Sequence, residues 1–516
     1  MKRKIIYYFA AAFMVLIIFT SGCTKDFQAI NTNPNSPGIN QAAPNMLLTN
    51  VIESMTDRVH EIFLGHEMGS CWVQHMAKVQ YPDEDRYIPR MGVINNTWTS
   101  FYASSGYDAQ TLYNIGVTKN NDSYKAVALI LKSYIVSVLT DEFGDVPYSE
   151  AFMGSDATTP ILSPVYDTQE AIYVALLANL AEANTLLSTS TASIEGDILY
   201  GNNLTQWRKF ANSLSLRLLL RRSDRVNPTA AITAIVKDPA KYPVFTSSAD
   251  NAALIYLGSA PNNNPINENR KSRDDHRVSK TIIDVMWTNN PNMDYRIAIY
   301  ANRPSAGGWW EGLPNGMTST DAANYKGNGL TKTSKIGSYF SAATAPGVLM
   351  SYAELQFILA ESVQRGFITG SAKTAQDYYT EGVAGSYKQY ADAIIKENKA
   401  ISALGIDPAW TIDDFIADYM ANYGAWDQAN ALKQIATEKW LAMFDQGLQS
   451  SFEWRRTGFP VLVPAIAGAN GGKIPVRAYY PSDESGRNPT NLAAAITHQG
   501  ADDLNTRVWW DTKNNY

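Results

Sequence analysis

The stretch from Asp122 to Ala151, DSYKAVALILKSYIVSVLTDEFGDVPYSEA, constrains the fold of this chain most. Val127, Ile130, Leu131, Tyr134 and Val138 recur at helical spacing. Leu129, Ile135, Val136 and Leu139 make the other face apolar as well, and a helix apolar all round must be buried all round. Lys125 and Lys132 interrupt the run, and roughly 17 residues at ~1.5 Å each fall short of a ~30 Å bilayer core, so it is not a membrane span. Asp122 or Ser123 is the expected N-cap and Gly144 the expected C-cap. Pro147 keeps the helix from resuming. The prediction is a central packing helix followed by a fixed corner.

A chain of 516 residues with 45% hydrophobic and 18% charged content can bury a large core around such a helix. The net charge of −6 leaves no basic surface for nucleic acid. Twelve Trp and 29 Tyr are enough both to pack that core and to line a binding surface.

Residues 1–22 read as a targeting segment: Lys2, Arg3 and Lys4 precede the apolar run Ile5 to Phe19. Thr20, Ser21 and Gly22 then lead into Cys23, an order that resembles the lipobox of bacterial lipoproteins. Cys23 is the expected lipidation site. Acyl chains at ~0.8 kcal/mol per buried CH₂ would hold the chain at a membrane without a spanning helix. Only Cys71 would then remain, so no intrachain disulfide is expected. Residues 23–41, rich in Asn, Pro and Ser, read as a lipidated tether, and 42–516 as a single α domain.

Asn45 to Met76 carries a helical stripe of Leu47, Val51, Met55, Val59 and Ile62. Glu67, Cys71 and His75 lie along it, with His60 and His66 nearby. Positions eight apart are about 12 Å apart along the axis, whereas zinc ligands come within about 2.3 Å of the ion, so no metal and no cofactor is expected. Val79 to Asn96 is a loop in which Tyr81, Arg86, Tyr87 and Arg90 alternate with acids and prolines, a candidate ligand surface. Asp83, Glu84 and Asp85 within it read as a solvated turn rather than a glycosidase pair.

Further helices are predicted after Asp167, with Asp167 and Glu170 as a capping box, and from Leu204, with Arg217, Arg221, Arg222 and Arg225 toward its dipole-favoured end. Residues 237–346 form a loop-rich insertion, of the length that is usually functional. In it Trp309 and Trp310 sit between Gly307-Gly308 and Gly312, large rings beside flexible backbone, with Trp287, Tyr295 and Arg303 as companions. Ser351 and Glu354 form a second capping box for a helix ended by Gly366. Its partner carries Tyr378, Tyr379, Gly382 and Ser386, and such a helix pair is one unit of a tetratricopeptide-like stack. A last long helix is expected over Leu432 to Phe444, with a loop-rich tail from Pro464.

Several separated segments share one resemblance. The Cys23 lipobox, the NTNPN run at 31–35, FGDVPYSEA at 143–151, WRKFANSLSLRLLLR at 207–221, YAELQFILAE at 352–361 and EWRRTGFP at 453–460 are similar to the SusD/RagB family of outer-membrane lipoproteins, in family order. The resemblance implies an all-α fold in which tetratricopeptide-like helix pairs form a scaffold and long irregular loops carry the ligand surface. It further implies a lipid-anchored protein facing the cell exterior, which captures oligosaccharides or another nutrient as the lid of a TonB-dependent, SusC-like outer-membrane transporter. No ligand motif comes with it, so the candidate ligand-binding residues, Trp309, Trp310, Tyr81, Arg86 and Tyr87, come from the loops alone.

Two other classes stay open: a secreted glycan-active hydrolase, and a lid subunit that touches no ligand. Against catalysis stand the absence of GxSxG, HExxH, P-loop and EF-hand patterns and only five scattered His.

Overall fold

The computed structural model describes residues 43–154, 159–289 and 292–513. The targeting segment 1–22, Cys23 and the tether 23–41 lie outside the described residues. From Pro44 on, helices dominate; strands occur only as short two-stranded ribbons among the described residues.

The scaffold begins with α1 (Pro44–His60) and α2 (Met91–Ser100). Four consecutive helix pairs follow: α3 (Gly106–Thr118) with α4 (Asp122–Phe143), α5 (Gln169–Thr189) with α6 (Leu204–Arg221), α8 (Tyr352–Gln364) with α9 (Ala375–Lys388), and α11 (Ala431–Ala442) with α12 (Gly447–Thr457). Between the second and third pairs lies the short α7 (Lys280–Met286); between the third and fourth lies α10 (Ile412–Asn422). The tail, expected as loop, contains α13 (Pro489–Gln499). Two ribbons matter below: β1 (Met76–Lys78) pairs antiparallel with β3 (His276–Val278), and β2 (Ala252–Ile255) with β4 (Pro346–Met350). An all-α scaffold of helix pairs is the expected architecture.

The central helix α4 runs 22 residues and is buried on every face, lying between α3 and α5. Asn121 is its N-cap, accepting the Tyr124 N–H at 2.9 Å, because Asp122 pairs with Lys125 and Ser123 turns to the Ala192 carbonyl. Thr168, not Asp167, caps α5; the Asp167 carboxylate instead takes the Tyr148 and Ser149 N–H groups and fixes the corner after α4.

The long helix expected over 45–76 does not continue. It ends at His60, and Ile62–Ser70 winds wider, with bonds such as Cys71 N–H to His66 O at 2.8 Å. The cause is a crossing against α12. A Cβ on Gly69 would lie 2.6 Å from the Gly447 carbonyl carbon, and one on Gly447 would lie 2.1 Å from Gly65 O, so glycine on both sides permits the contact.

The segments that carry the family resemblance converge inside this scaffold. Asp141 accepts hydrogen bonds from Arg221, Tyr173 and Trp510, at 2.5, 2.6 and 2.7 Å. Arg456 pairs with both Glu361 and Glu453, and Lys439 lies 3.2 Å from Glu453. Arg217 and Arg221 therefore serve buried ion pairs rather than a helix dipole, since burial would leave either guanidinium uncompensated otherwise.

Candidate functional site

Residues 301–316 fold back along the start of α7. The Lys280 N–H donates to Leu313 O at 2.9 Å, and the Leu313 N–H to Val278 O at 3.0 Å, so the loop is zipped to β3 and the helix behind it. Gly307 and Gly308, at φ 86° and 102°, make the sharp turn that only glycine adopts freely. Trp310 points inward from this turn, 4% exposed, and its Nε1–H donates to Ala301 O at 2.8 Å. Trp287, at the end of α7, lies edge-on to Trp310 with centroids 5.2 Å apart. It stacks obliquely on Trp309 at 4.9 Å. Trp309 is only half-buried, and the Arg303 guanidinium lies 5.4 Å from its ring centre.

These rings form one wall of an open cleft of about 540 Å³. Its other walls come from Lys280, Asp284, Glu311, Tyr325, Lys326 and Lys332. Lys280 pairs with Asp284 at 2.5 Å and Lys326 with Glu311; the Tyr325 hydroxyl donates to Glu311 at 3.3 Å. Burial, and then the Glu311 carboxylate, push the Tyr325 hydroxyl up to about 12, so it remains a donor at neutral pH. Rings beside fixed donors and acceptors can hold a ligand with an apolar face and a polar rim.

Tyr81 belongs to a second cleft, of about 460 Å³. It is 64% exposed, with the Arg273 guanidinium 4.5 Å over its ring; Arg90 lies likewise 4.5 Å over Phe63. The floor is a buried ion network in which Lys78 donates to Glu67 at 2.6 Å and to Glu84 at 2.7 Å. Burial pushes the Glu67 carboxyl up, and Lys78 only partly offsets this. Burial, then Lys78, drive the His276 imidazole well below its usual range, so it is neutral.

Arg86 and Tyr87 are not available in the way the loop reading expects. Arg86 Nε donates to Ala467 O at 3.0 Å. Tyr87 is 3% exposed, and its hydroxyl accepts the Ala465 N–H at 2.8 Å. Both hold the 465–469 segment against the loop. Nor is Asp83 to Asp85 a solvated turn: Glu84 and Asp85 are buried, and Asp85 accepts from Asn315 Nδ2 at 2.7 Å and Gly316 N–H at 2.8 Å. Burial pushes its carboxyl up to about 6. Asp85 thereby ties the Tyr81 loop to the tryptophan loop. Tyr295 is a core residue whose hydroxyl donates to Asp418. Glu67, Cys71 and His75 serve separate partners: His75 Nε2 lies 3.0 Å from Trp440 O, and Cys71 is buried. Among the described residues no three His, Cys, Asp or Glu side chains gather as a metal site.

Sequence reasoning missed Tyr325, Lys326 and Lys332. Their only signal was membership of the irregular segment, because their approach to Trp309 depends on the backbone path of that segment.

A family model described as "starch-binding associating with outer membrane", of SusD-like type, matches residues 34–481. Among solved structures, a chitin-binding protein is 27% identical with a TM-score of 0.75, covering 91% of this chain and 100% of its own. A SusD homologue from Bacteroides fragilis NCTC 9343 is 27% identical with a TM-score of 0.73, covering 92% and 100%. An outer-membrane protein from Bacteroides vulgatus ATCC 8482 is 25% identical, TM-score 0.73, covering 91% and 100%. No curated protein matches the chain. The match spans most of the 516 residues and the same architecture recurs in each structure: the chain belongs to the SusD/RagB family of outer-membrane nutrient-binding proteins.

Proposed function

We propose that this protein captures oligosaccharides in the cleft walled by Trp287 and Trp309, and passes them to a TonB-dependent transporter over which it sits as a lid. The observation that carries this reading is the cleft: a half-buried indole, backed by two further indoles, opens onto about 540 Å³ with charged and hydroxyl groups around it. A sugar ring offers a C–H face to such an indole and hydroxyls to the rim. The similar chitin-binding protein supports a glycan as the ligand class. Trp310 belongs to the proposed site as the anchor that sets the wall, and Trp309 as the contact. Tyr81 is a secondary candidate; Arg86 and Tyr87 contribute by holding its loop.

Binding without catalysis is the reading favoured here, because Glu84 and Asp85, the adjacent acids that could suggest hydrolysis, are buried and committed to other partners. Lipidation at Cys23 keeps the binder at the outer membrane, on its outer side, where effective concentration beside the transporter replaces affinity. Calorimetric titration of the soluble chain with starch- and chitin-derived oligosaccharides tests the reading, alongside release of reducing sugar. Binding without hydrolysis is expected. Hydrolysis, or no binding to any glycan, would overturn it.

A further inference from the structure

The charges around the tryptophan cleft do not cancel. Its two carboxylates, Asp284 and Glu311, are each already neutralised, by Lys280 and Lys326. Lys332 also lines the cleft, and among the described residues it is in no ion pair. Arg303 stands exposed against Trp309; its Nε–H is used on Gly308 O at 3.0 Å, and its guanidinium likewise meets no carboxylate among the described residues. One cation without an ion pair therefore lines the cleft, and a second lies against its Trp309, in a chain whose net charge is −6. Two other clefts differ. Around Tyr81 the cations Lys78, Arg90 and Arg273 are matched by Glu67, Glu84 and Asp275. In the cleft beside α10 and α11, Lys433 is also in no ion pair among the described residues, but it shares that cleft with the Asp427 carboxylate, and the buried Asp294 and Glu438 are held by Arg296.

We propose that the sugar chain taken by the tryptophan cleft is acidic, carrying a carboxylate or sulfate that Lys332 and Arg303 receive while Trp309 stacks on the ring beside it. This rests on the oligosaccharide reading above. A paired lysine offers little to a passing anion, because its charge is already met. An unpaired guanidinium fixed by a backbone bond and a ring is preorganised to accept one, and a charge-assisted hydrogen bond is about twice as strong as a neutral one. A solvated lysine in no ion pair adds attraction at longer range, and that part fades with salt.

The test is a calorimetric panel on the soluble chain. Maltohexaose and chitohexaose are the neutral probes, oligogalacturonate carries carboxylates, and carrageenan oligosaccharides carry sulfates; the last two separate the anion's source. Expected is binding at least tenfold tighter for one acidic probe than for either neutral one, weakening between 50 and 500 mM NaCl. Lys332→Met and Arg303→Met should each lose about tenfold for that probe and clearly less for any neutral probe, the ratio of the two losses being the readout. Met preserves the apolar stem in both; Arg303→Met also gives up the bond to Gly308 O, so its effect on a neutral probe reports any change in the loop itself. Neutral probes that bind as tightly as acidic ones through Trp309, or Met variants that bind the acidic probe as well as the parent, would overturn this inference and leave the oligosaccharide reading standing. Failure of every probe to bind would overturn both.

Discussion

Arg217 on α6 and Glu354 on α8, 137 residues apart, meet through two parallel hydrogen bonds of 2.7 and 2.6 Å with side chains 1% and 0% exposed. Arg217 also donates to Leu349 O, so one guanidinium pins α6, α8 and β4 together. Two charges taken out of water recover that cost only in each other's company. Arg217→Ala or Glu354→Ala alone should therefore cost about 3–5 kcal/mol, whereas Arg217→Met with Glu354→Leu should cost far less. Urea unfolding of the three variants checks this; equal losses in all three would mean that the pair acts through packing alone.

The crossing of Ile62–Ser70 against α12 is a second point of no tolerance. Gly69→Ala places a Cβ 2.6 Å from the backbone of Gly447 and Leu448, which cannot swing aside as a side-chain end could. The expected loss is about 1–3 kcal/mol or more. Gly92→Ala on α2 meets nothing within 4 Å and should be neutral or stabilise by up to about 1 kcal/mol. Thermal melts of the two alanine variants should shift in different directions or by clearly different amounts.

Glu142 gives a pH signature. Burial pushes its carboxyl from 4.5 up to about 7, only partly countered by Arg455 and Arg477. The folded chain thus holds a proton that the unfolded chain has released, so stability falls as pH rises from 4.5 to 7 and stays reduced above it. The full penalty is about 3 kcal/mol at ~1.4 kcal/mol per pKa unit. Glu142→Gln should match the parent below pH 4.5 and exceed it by up to that amount at pH 8. His60, His66, His75 and His276 are buried with their imidazoles driven down, chiefly by burial, and they lose stability in the acid direction. They are common to parent and variant and cancel in the difference. Urea midpoints at pH 4.5, 6 and 8 decide it: a pH-independent difference is the failing outcome.

The helices and their pairing were legible because burial imposes a 3.6-residue period that a sequence displays directly, as α4 and α8 do. Caps were less so. Asp167 and Thr168 are equally good N-cap residues, and only the distant Tyr148 and Ser149 amides decide between them. Glu354 fits a capping box by spacing, yet its carboxylate turns to Arg217, which no local pattern reveals. The widening after His60 was illegible for the same reason: Gly65 and Gly69 are visible, but Gly447 opposite them is not. In the candidate site, composition marked the loop with Trp309 and Trp310 as unusual. Which ring faces outward depends on the Ala301 carbonyl that Trp310 reaches, a matter of tertiary path. Tyr87 misled because an aromatic in a polar loop reads as a contact surface whether it faces the ligand or pins the next loop.

Cys23 carries the membrane prediction. If the small residues before it direct lipidation, Cys23→Ala should appear unprocessed or released from the outer-membrane fraction, and the parent should incorporate radiolabelled palmitate. Mild detergent extraction of the parent should co-purify a TonB-dependent transporter. An unlabelled parent together with a variant that still fractionates with outer membrane would contradict lipidation; a lone monomer under conditions that keep other outer-membrane complexes intact would contradict the lid.

Trp309 and Trp310 should separate binding from stability. Trp310 is enclosed, stacks against Trp287 and satisfies its N–H on Ala301 O, so Trp310→Ala leaves a void and an unmet carbonyl; about 3–5 kcal/mol is expected to be lost. Trp309 is half-buried, and a well-placed ring contributes about 0.5–1.5 kcal/mol beyond its area. Trp309→Ala should therefore weaken the best ligand by at least roughly two- to tenfold at ~1.4 kcal/mol per tenfold, with a much smaller change in melting temperature. Trp287 and Arg303 already touch the same ring, so some destabilisation accompanies its loss; the diagnostic is the ratio of the two effects. Trp309→Phe, which keeps a ring against Trp287, should restore the melting temperature and part of the affinity. If Trp309→Ala leaves affinity unchanged, or if affinity and melting temperature fall in the same proportion in both alanine variants, the ring is an anchor and the proposed sugar contact is wrong.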